Sequence, residues 1–221
     1  MNQQSEKFEM FADPMKQQAL VRIVDDDGGV RESYKYLVES EGWRVKTYPS
    51  AEAFLAEDDP AVPGCGVFDV RMTGLTGMEL HQKLIELANR LPVIFVSAHG
   101  DIEMAVKAMR RGAVDFLTKP VVDEKLLSSI DRAVAQSCRE AAEAEAVHEL
   151  ALLWQSLSPR ERQVAQLAAD GFTTKAVAEA LRIAERTAQV HVASACSKLG
   201  VENAAGAAQI IARLKAGGIE L

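Results

Sequence analysis

Long hydrophobic runs are missing from this 221-residue chain. None approaches the roughly 18 residues that span a membrane, and the polar opening MNQQSEKFEM has no signal-peptide core. Both absences point to a cytoplasmic protein with no membrane contact. Cysteine is scarce as well: Cys65, Cys138 and Cys196 are scattered without metal-ligand spacing, each in an apolar or helical setting. They read as reduced, structural thiols. Strong positive charge is also lacking, since the net charge is -7. Residues 1–156 carry 17 Lys and Arg against 26 Asp and Glu, whereas 157–221 carry 8 against 6. The second stretch is therefore the better suited to nucleic acid, although so small an excess falls short of the basic footprint that would establish it alone.

What is present is an ordinary globular composition, 48% hydrophobic and 26% charged, in a length that suits two domains. Residues 1–18 hold glutamines, charges and Pro14 without a period and read as a flexible tail. Short apolar runs follow at 19–24 (ALVRIV), 64–70 (GCGVFDV), 91–96 (LPVIFV) and 113–117 (AVDFL). They alternate with helical patterns near 30–41, 50–57, 76–89 and 101–112, which predicts a doubly wound parallel α/β domain over 19–135. From Asp123 to Leu157 there is neither Gly nor Pro. That stretch predicts a last helix prolonged into a helical linker, 136–156, with a helix ending near Ser137 and a charged tether as the alternative. Leu150, Leu153, Trp154 and Leu157 share one helical face.

The polar residues closing the apolar runs carry the chemistry. Asp25, Asp26 and Asp27 follow the first run, Asp69 lies near the end of the second, Ser97 closes the third, and Lys119 stands after the fourth. In an open parallel sheet all of them meet at the carboxyl edge, where ligands bind. A carboxylate attacking a phosphoryl group meets charge repulsion, which a divalent cation on hard oxygen ligands offsets. Lys119 supplies a point charge for phosphoryl oxygens and Ser97 a hydroxyl donor. Singly, each has a plainer role: Asp69 in a strand-end turn, Asp25 to Asp27 capping the helix near Val30, Lys119 in a solvated loop. The four together point to Asp69 as a phosphate acceptor.

These residues carry a family resemblance. VDDD at 24–27, FDVRMTGLTGMEL at 68–80, VSAHGD at 96–101 and FLTKP at 116–120 resemble a response-regulator receiver domain, and 104–120 is similar to the FixJ type. The resemblance implies a five-stranded, flavodoxin-like sheet with Asp69 as phosphoacceptor and Asp25 and Asp26 as the acidic pair. It also implies Mg²⁺ on Asp26, Asp69 and the main-chain carbonyl of Arg71, with Ser97, Phe116 and Lys119 as switch residues. Arg71 and His99 would flank the attacking water's path. One departure is Thr73, where such domains commonly have proline. The loop should thereby gain backbone freedom.

Leu157 opens a second module. Ser158, Pro159 and Glu161 form a capping box and a proline first turn, predicting a helix to about Asp170 that stops at Gly171. Helices near 174–181 and 185–199 follow, joined by a tight turn. Within the third, Ala188, Val192, Ala195 and Leu199 should face inward, leaving Arg186, Gln189, Val190, Ala193 and Ser197 outside. Gln189 can address an adenine edge and Val190 a thymine methyl, with Lys175, Arg182, Arg186 and Lys198 on phosphates.

The stretch 157–201 resembles the LuxR-type (NarL/FixJ) output domain, most clearly at Glu161, Gly171, Lys175, Ala178, Thr187, Val190, His191, Lys198 and Leu199. Thr174, Ala188, Gln189 and Val192 depart from its usual Asn, Val, basic residue and Arg. Over 157–221 the resemblance implies an all-α helix-turn-helix domain. The whole then reads as a transcriptional response regulator, with a sensor histidine kinase, a homodimer formed on phosphorylation and a double-stranded promoter as partners. A phosphorylation-gated protein-interaction regulator is the alternative. An Asp-nucleophile phosphatase fits poorly, because the position two residues after Asp69, where such enzymes place an acid, holds Arg71.

Overall fold

Successive side chains of a strand point to opposite faces, so the apolar runs of the first unit form a sheet that is buried on both sides. The computed structural model describes residues 13–98 and 102–221, so expectations that fall on residues 1–12 or on His99 lie outside the described residues. Five strands form one parallel sheet in the order β2-β1-β3-β4-β5. They are β1 (Leu20–Val24), β2 (Arg44–Tyr48), β3 (Gly64–Asp69), β4 (Val93–Ser97) and β5 (Asp115–Thr118). In this register Leu20 pairs with both Arg44 and Gly64, Asp69 with Val96, and Ser97 with Thr118. The carboxyl ends of β1, β3, β4 and β5 therefore lie along one edge.

Helices cover both faces. Val21, Ile23, Cys65, Val67, Ile94 and Val96 form one buried layer with α2 (Gly28–Ser40) and the start of α6 (Asp123–Gln155), through Val38, Leu126, Ile130 and Val134. Val24, Phe68, Val93 and Phe95 form the other, with α3 (Ala51–Glu57), α4 (Gly77–Glu86) and α5 (Ile102–Arg110). Rings of Tyr48, Phe54, Phe68 and Phe95 meet edge to face in succession, each contact adding about 0.5–1.5 kcal/mol beyond burial. Arg22, on β1, is fully buried. Its guanidinium donates to Asp58 at 2.7 Å and to the carbonyls of Leu20, Asp59 and Val62, stapling the loop before β3.

One expectation for this unit needs correction. The stretch 14–18 belongs to a short helix, α1 (Pro14–Gln18), capped by Asp13 and opened by proline. Lys16 ties it down by donating to the Glu41 carbonyl at 2.6 Å and lying over the Trp43 ring. Its neighbour β2 is missing from the apolar runs because RVKTY is half exposed and mixes charge with short apolar positions.

The 33-residue helix α6 runs unbroken, and the two units divide between Ala141 and Ala142. Ser137 accepts from the Gly64 amide in the first unit, whereas Glu143 pairs with Arg213 in the second. In the second unit α6 contributes Leu150, Ala151 and Trp154 to a core shared with Leu157. Leu153, expected on that face, is exposed. The rest of the unit is α7 (Pro159–Ala169), α8 (Thr174–Leu181), α9 (Glu185–Lys198) and α10 (Ala204–Ala216). Helix α10 was not among the expected elements, yet Ala207, Ile210, Ile211 and Leu214 recur at helical spacing and bury against α6, α7 and α9 residues. Among the described residues no helix is long and apolar enough to cross a membrane.

Candidate functional site

Strand ends and the loops that leave them place the acidic residues. Asp25 is buried just beyond β1, and its Oδ1 accepts the Asp27 amide at 2.9 Å. Asp27 turns away to cap α2, accepting from the amides of Gly29 and Val30. Asp69 closes β3, buried, with Oδ2 accepting the Arg71 amide at 2.7 Å. The helix behind it can approach closely because Gly77 opens α4: a Cβ there would stand 2.1 Å from the Asp69 carbonyl oxygen.

Lys119 joins these groups. Its Nζ donates to Asp25 Oδ2 at 2.8 Å and to Asp69 Oδ1 at 2.7 Å, from residues 94 and 50 positions away. Burial pulls the Lys119 ammonium down, but the two carboxylates more than offset it and hold its pKa above the ordinary value. Burial pushes the Asp69 carboxyl above its ordinary range, and the bonds from Lys119 only partly counter that. Ser97 is buried at the end of β4, its carbonyl accepting the Lys119 amide at 2.7 Å. Phe116, half-buried on β5, packs on Phe95 at 6.3 Å between ring centres.

Asp26 is exposed and looks to the loop after β3, where Thr73 donates to its Oδ2 through both the amide, 2.8 Å, and the hydroxyl, 2.9 Å. Those bonds, the amide's foremost, hold the Asp26 carboxyl below its usual range. The loop that Thr73 was expected to loosen, in place of proline, is here tied to Asp26 by these two bonds. No local signal in the sequence marks that pairing across 47 positions. Asp25, Asp26, Asp69 and the Arg71 carbonyl are the hard oxygen donors that Mg²⁺ takes, so the donor chemistry fits this ion. Among the described residues no three His, Cys, Asp or Glu are gathered into a ready-made cage, and Lys119 already sits between Asp25 and Asp69.

In the second unit the capping box forms as expected: the Ser158 hydroxyl accepts the Glu161 amide and Glu161 accepts the Ser158 amide. The same buried carboxylate also accepts Ser194 Oγ at 2.6 Å and Lys198 Nζ at 2.8 Å. Lys198 first, then Ser194, bring the Glu161 pKa down to about 2. The expectation of a phosphate contact at Lys198 thus meets a competing partner that neutralises its charge. On α9 the inward set holds, with Ala188, Ala195 and Leu199 buried and Val192 half-buried. Arg186, Thr187, Gln189, Val190 and Ala193 are exposed, as is Lys175 on α8. The turn between α8 and α9 is tight, with Arg182 in the left-handed region at φ 53°.

Comparison with known proteins covers both units. The family profile described as response regulator receiver domain matches residues 21–131, and that of bacterial regulatory proteins, luxR family, matches 155–211. The response regulator protein TmoT of Ectopseudomonas mendocina is 41% identical over 199 residues, covering 90% of either chain. The transcriptional regulatory protein FixJ of Bradyrhizobium diazoefficiens is 39% identical over 180 residues, covering 81% of this chain and 87% of FixJ. The solved structure of response regulator StyR is similar with a TM-score of 0.81 at 37% identity, over 89% of this chain and 99% of that one. A Lys-bridged acidic edge on a five-stranded parallel sheet, followed by a helix-turn-helix unit, accords with these likenesses: the chain belongs to the two-domain transcriptional response regulators of the FixJ/NarL type, a receiver domain joined to a LuxR-type DNA-binding domain.

Proposed function

We propose that Asp69 receives a phosphoryl group from a sensor histidine kinase and thereby activates promoter binding by the second unit. The supporting observation is the Lys119 ammonium, 2.7 Å from Asp69 and 2.8 Å from Asp25 at the carboxyl edge of the sheet. In the transfer a carboxylate oxygen of Asp69 attacks phosphorus. An O–P bond forms while the P–N bond to the kinase histidine breaks, and that nitrogen keeps the bonding pair. Asp25, Asp26 and Asp69, with the main-chain carbonyl of Arg71, would hold Mg²⁺, which when bound offsets charge on the carboxylate and the incoming phosphoryl oxygens.

Lys119 then pairs with the phosphoryl oxygens, and the Ser97 hydroxyl donates to one of them. Phe116 turns with Ser97 as the ends of β4 and β5 draw in. That movement biases the face formed by α5, β5 and α6 toward a homodimer in the cytoplasm. Paired α9 helices then read a two-fold site on double-stranded DNA. Gln189, Val190 and Ala193 meet base edges, while Lys175, Arg186, Thr187 and Lys198 serve the backbone.

Acetyl phosphate with Mg²⁺ tests the acceptor: the parent chain should be labelled and Asp69→Asn should not. Equal labelling of both would sink the assignment. Genome-wide DNA capture with and without phosphorylation tests the output, and an enriched motif that strengthens on phosphorylation is expected. A second reading, a phosphorylation-gated protein contact without specific DNA binding, draws support from the neutralised Lys198. Capture that enriches no motif selects it.

A further inference from the structure

The loop between β3 and α4 is tethered at every second amide by a carboxylate from a different place in the first unit. Arg71 N–H donates to Asp69 at the end of β3, Thr73 N–H to Asp26 after β1, and Leu75 N–H to Glu52 on α3 at 3.0 Å. Only the middle tether is doubled by a side chain. Thr73 Oγ1 lies 2.9 Å from the same Asp26 Oδ2 that accepts its amide at 2.8 Å. A carboxylate oxygen has about two lone-pair sites, so these two donors saturate Oδ2 and leave Oδ1 as the oxygen for a cation. Asp26 also needs such donors. It sits between Asp25 and Asp27 in an acidic run, and the Lys119 ammonium is spent on Asp25 and Asp69.

We infer that Thr73 is a positioning residue for the divalent cation: its hydroxyl and amide hold the Asp26 carboxylate in one orientation, so that Asp26 enters the site as a preset single-oxygen ligand. Proline at this position could donate neither bond. The chain thereby exchanges a covalently stiffened loop for one whose order depends on Asp26. Cation binding and the conformation of the loop beside the acceptor become coupled through one side chain. Mg²⁺ demands near-ideal octahedral geometry, so a ligand held in one orientation loses less freedom on binding than a free one. This inference rests on the reading that Asp26 ligates Mg²⁺.

The test is a titration of the full chain with MgCl₂ alone, followed by amide NMR shifts, on the parent, Thr73→Val, Thr73→Ser and Asp26→Asn. Valine keeps the shape and the amide donor but removes the hydroxyl, and serine restores the hydroxyl. Thr73→Val should weaken Mg²⁺ binding roughly fivefold to tenfold, the range expected for the net contribution of one ordinary hydrogen bond. Thr73→Ser should stay within about twofold of the parent. Melting of each variant in EDTA separates a merely structural role, which would lower Tm and leave Mg²⁺ affinity alone. If Asp26→Asn weakens binding while Thr73→Val matches or exceeds the parent, the inference about Thr73 fails and the metal site stands. If Asp26→Asn binds Mg²⁺ as tightly as the parent, the metal reading and this inference fall together.

Discussion

Glu161 accepts the Lys198 ammonium at 2.8 Å across 37 positions of sequence while its other bonds cap α7 and hold Ser194. One carboxylate thus ties α7 to α9. Its pKa is lowered from 4.5 to about 2, so its stabilising contribution is fully present above about pH 4.5 and is lost as pH falls toward 2. In a Trp43→Phe background, Trp154 fluorescence should report a melting midpoint that falls steeply over that window. Glu161→Gln should start lower and fall less. Parallel curves for the two proteins would show that the pair carries no pH-linked stability.

The same pair ranks the cations proposed to meet DNA. Lys175 and Arg186 are exposed and form no ion pair among the described residues, whereas Lys198 is already neutralised. Each phosphate contact contributes about 0.9 to the slope of log affinity against log salt. Lys175→Ala and Arg186→Ala should each flatten that slope by about this amount. Lys198→Ala should change it less and lower the melting point more, as followed by fluorescence anisotropy and thermal denaturation. A full-sized slope change for Lys198→Ala would mean that DNA draws the ammonium away from Glu161.

Arg22 is the most demanding buried charge of the first unit. Its side chain has no exposed surface and pairs with Asp58, which also accepts the Tyr48 hydroxyl at 2.6 Å. Removing one partner of such a pair leaves the other charge buried and unmatched, at a cost of about 3–5 kcal/mol. Urea denaturation of Arg22→Ala should show a loss of that size. A loss below about 1 kcal/mol, the scale of an exposed pair, would place Asp58 in water.

His81 on α4 lies edge-on to Phe95 at 5.5 Å, and its Nδ1 meets no hydrogen-bond partner among the described residues. Burial, aided by Arg111, holds its pKa below 6.5. Its neutral form is the one the fold accepts, so its contribution is intact above about pH 6.5 and erodes as pH drops through the folded value. His81→Leu should flatten the stability profile of the first unit below about pH 6.5 relative to the parent. An unchanged profile would mean that the imidazole titrates as it does in water.

Much of this organisation is legible in the chain. The apolar runs at 19–24, 64–70, 91–96 and 113–117 give four strands because buried parallel strands need continuous apolar stretches. Strand-end chemistry at Asp25, Asp69 and Lys119 follows from chain order, since every parallel strand ends at the same edge. Capping of α7 by Ser158 and Glu161 is legible because the box lies within four consecutive residues. Strand β2 hides because it is half exposed, whereas α10 carries a readable stripe at 207, 210, 211 and 214.

By itself, then, the sequence determined what local spacing controls: the strand and helix periods, the helix caps, and the set of groups that parallel strands must carry to one edge. Tertiary structure alone decided who bonds to whom across long separations. It gave Asp26 to Thr73 over 47 positions, Lys198 to Glu161 over 37, and Arg22 to Asp58 over 36. A side chain's nearest polar partner depends on how the elements pack, and no periodicity within one element encodes the neighbour it meets in another.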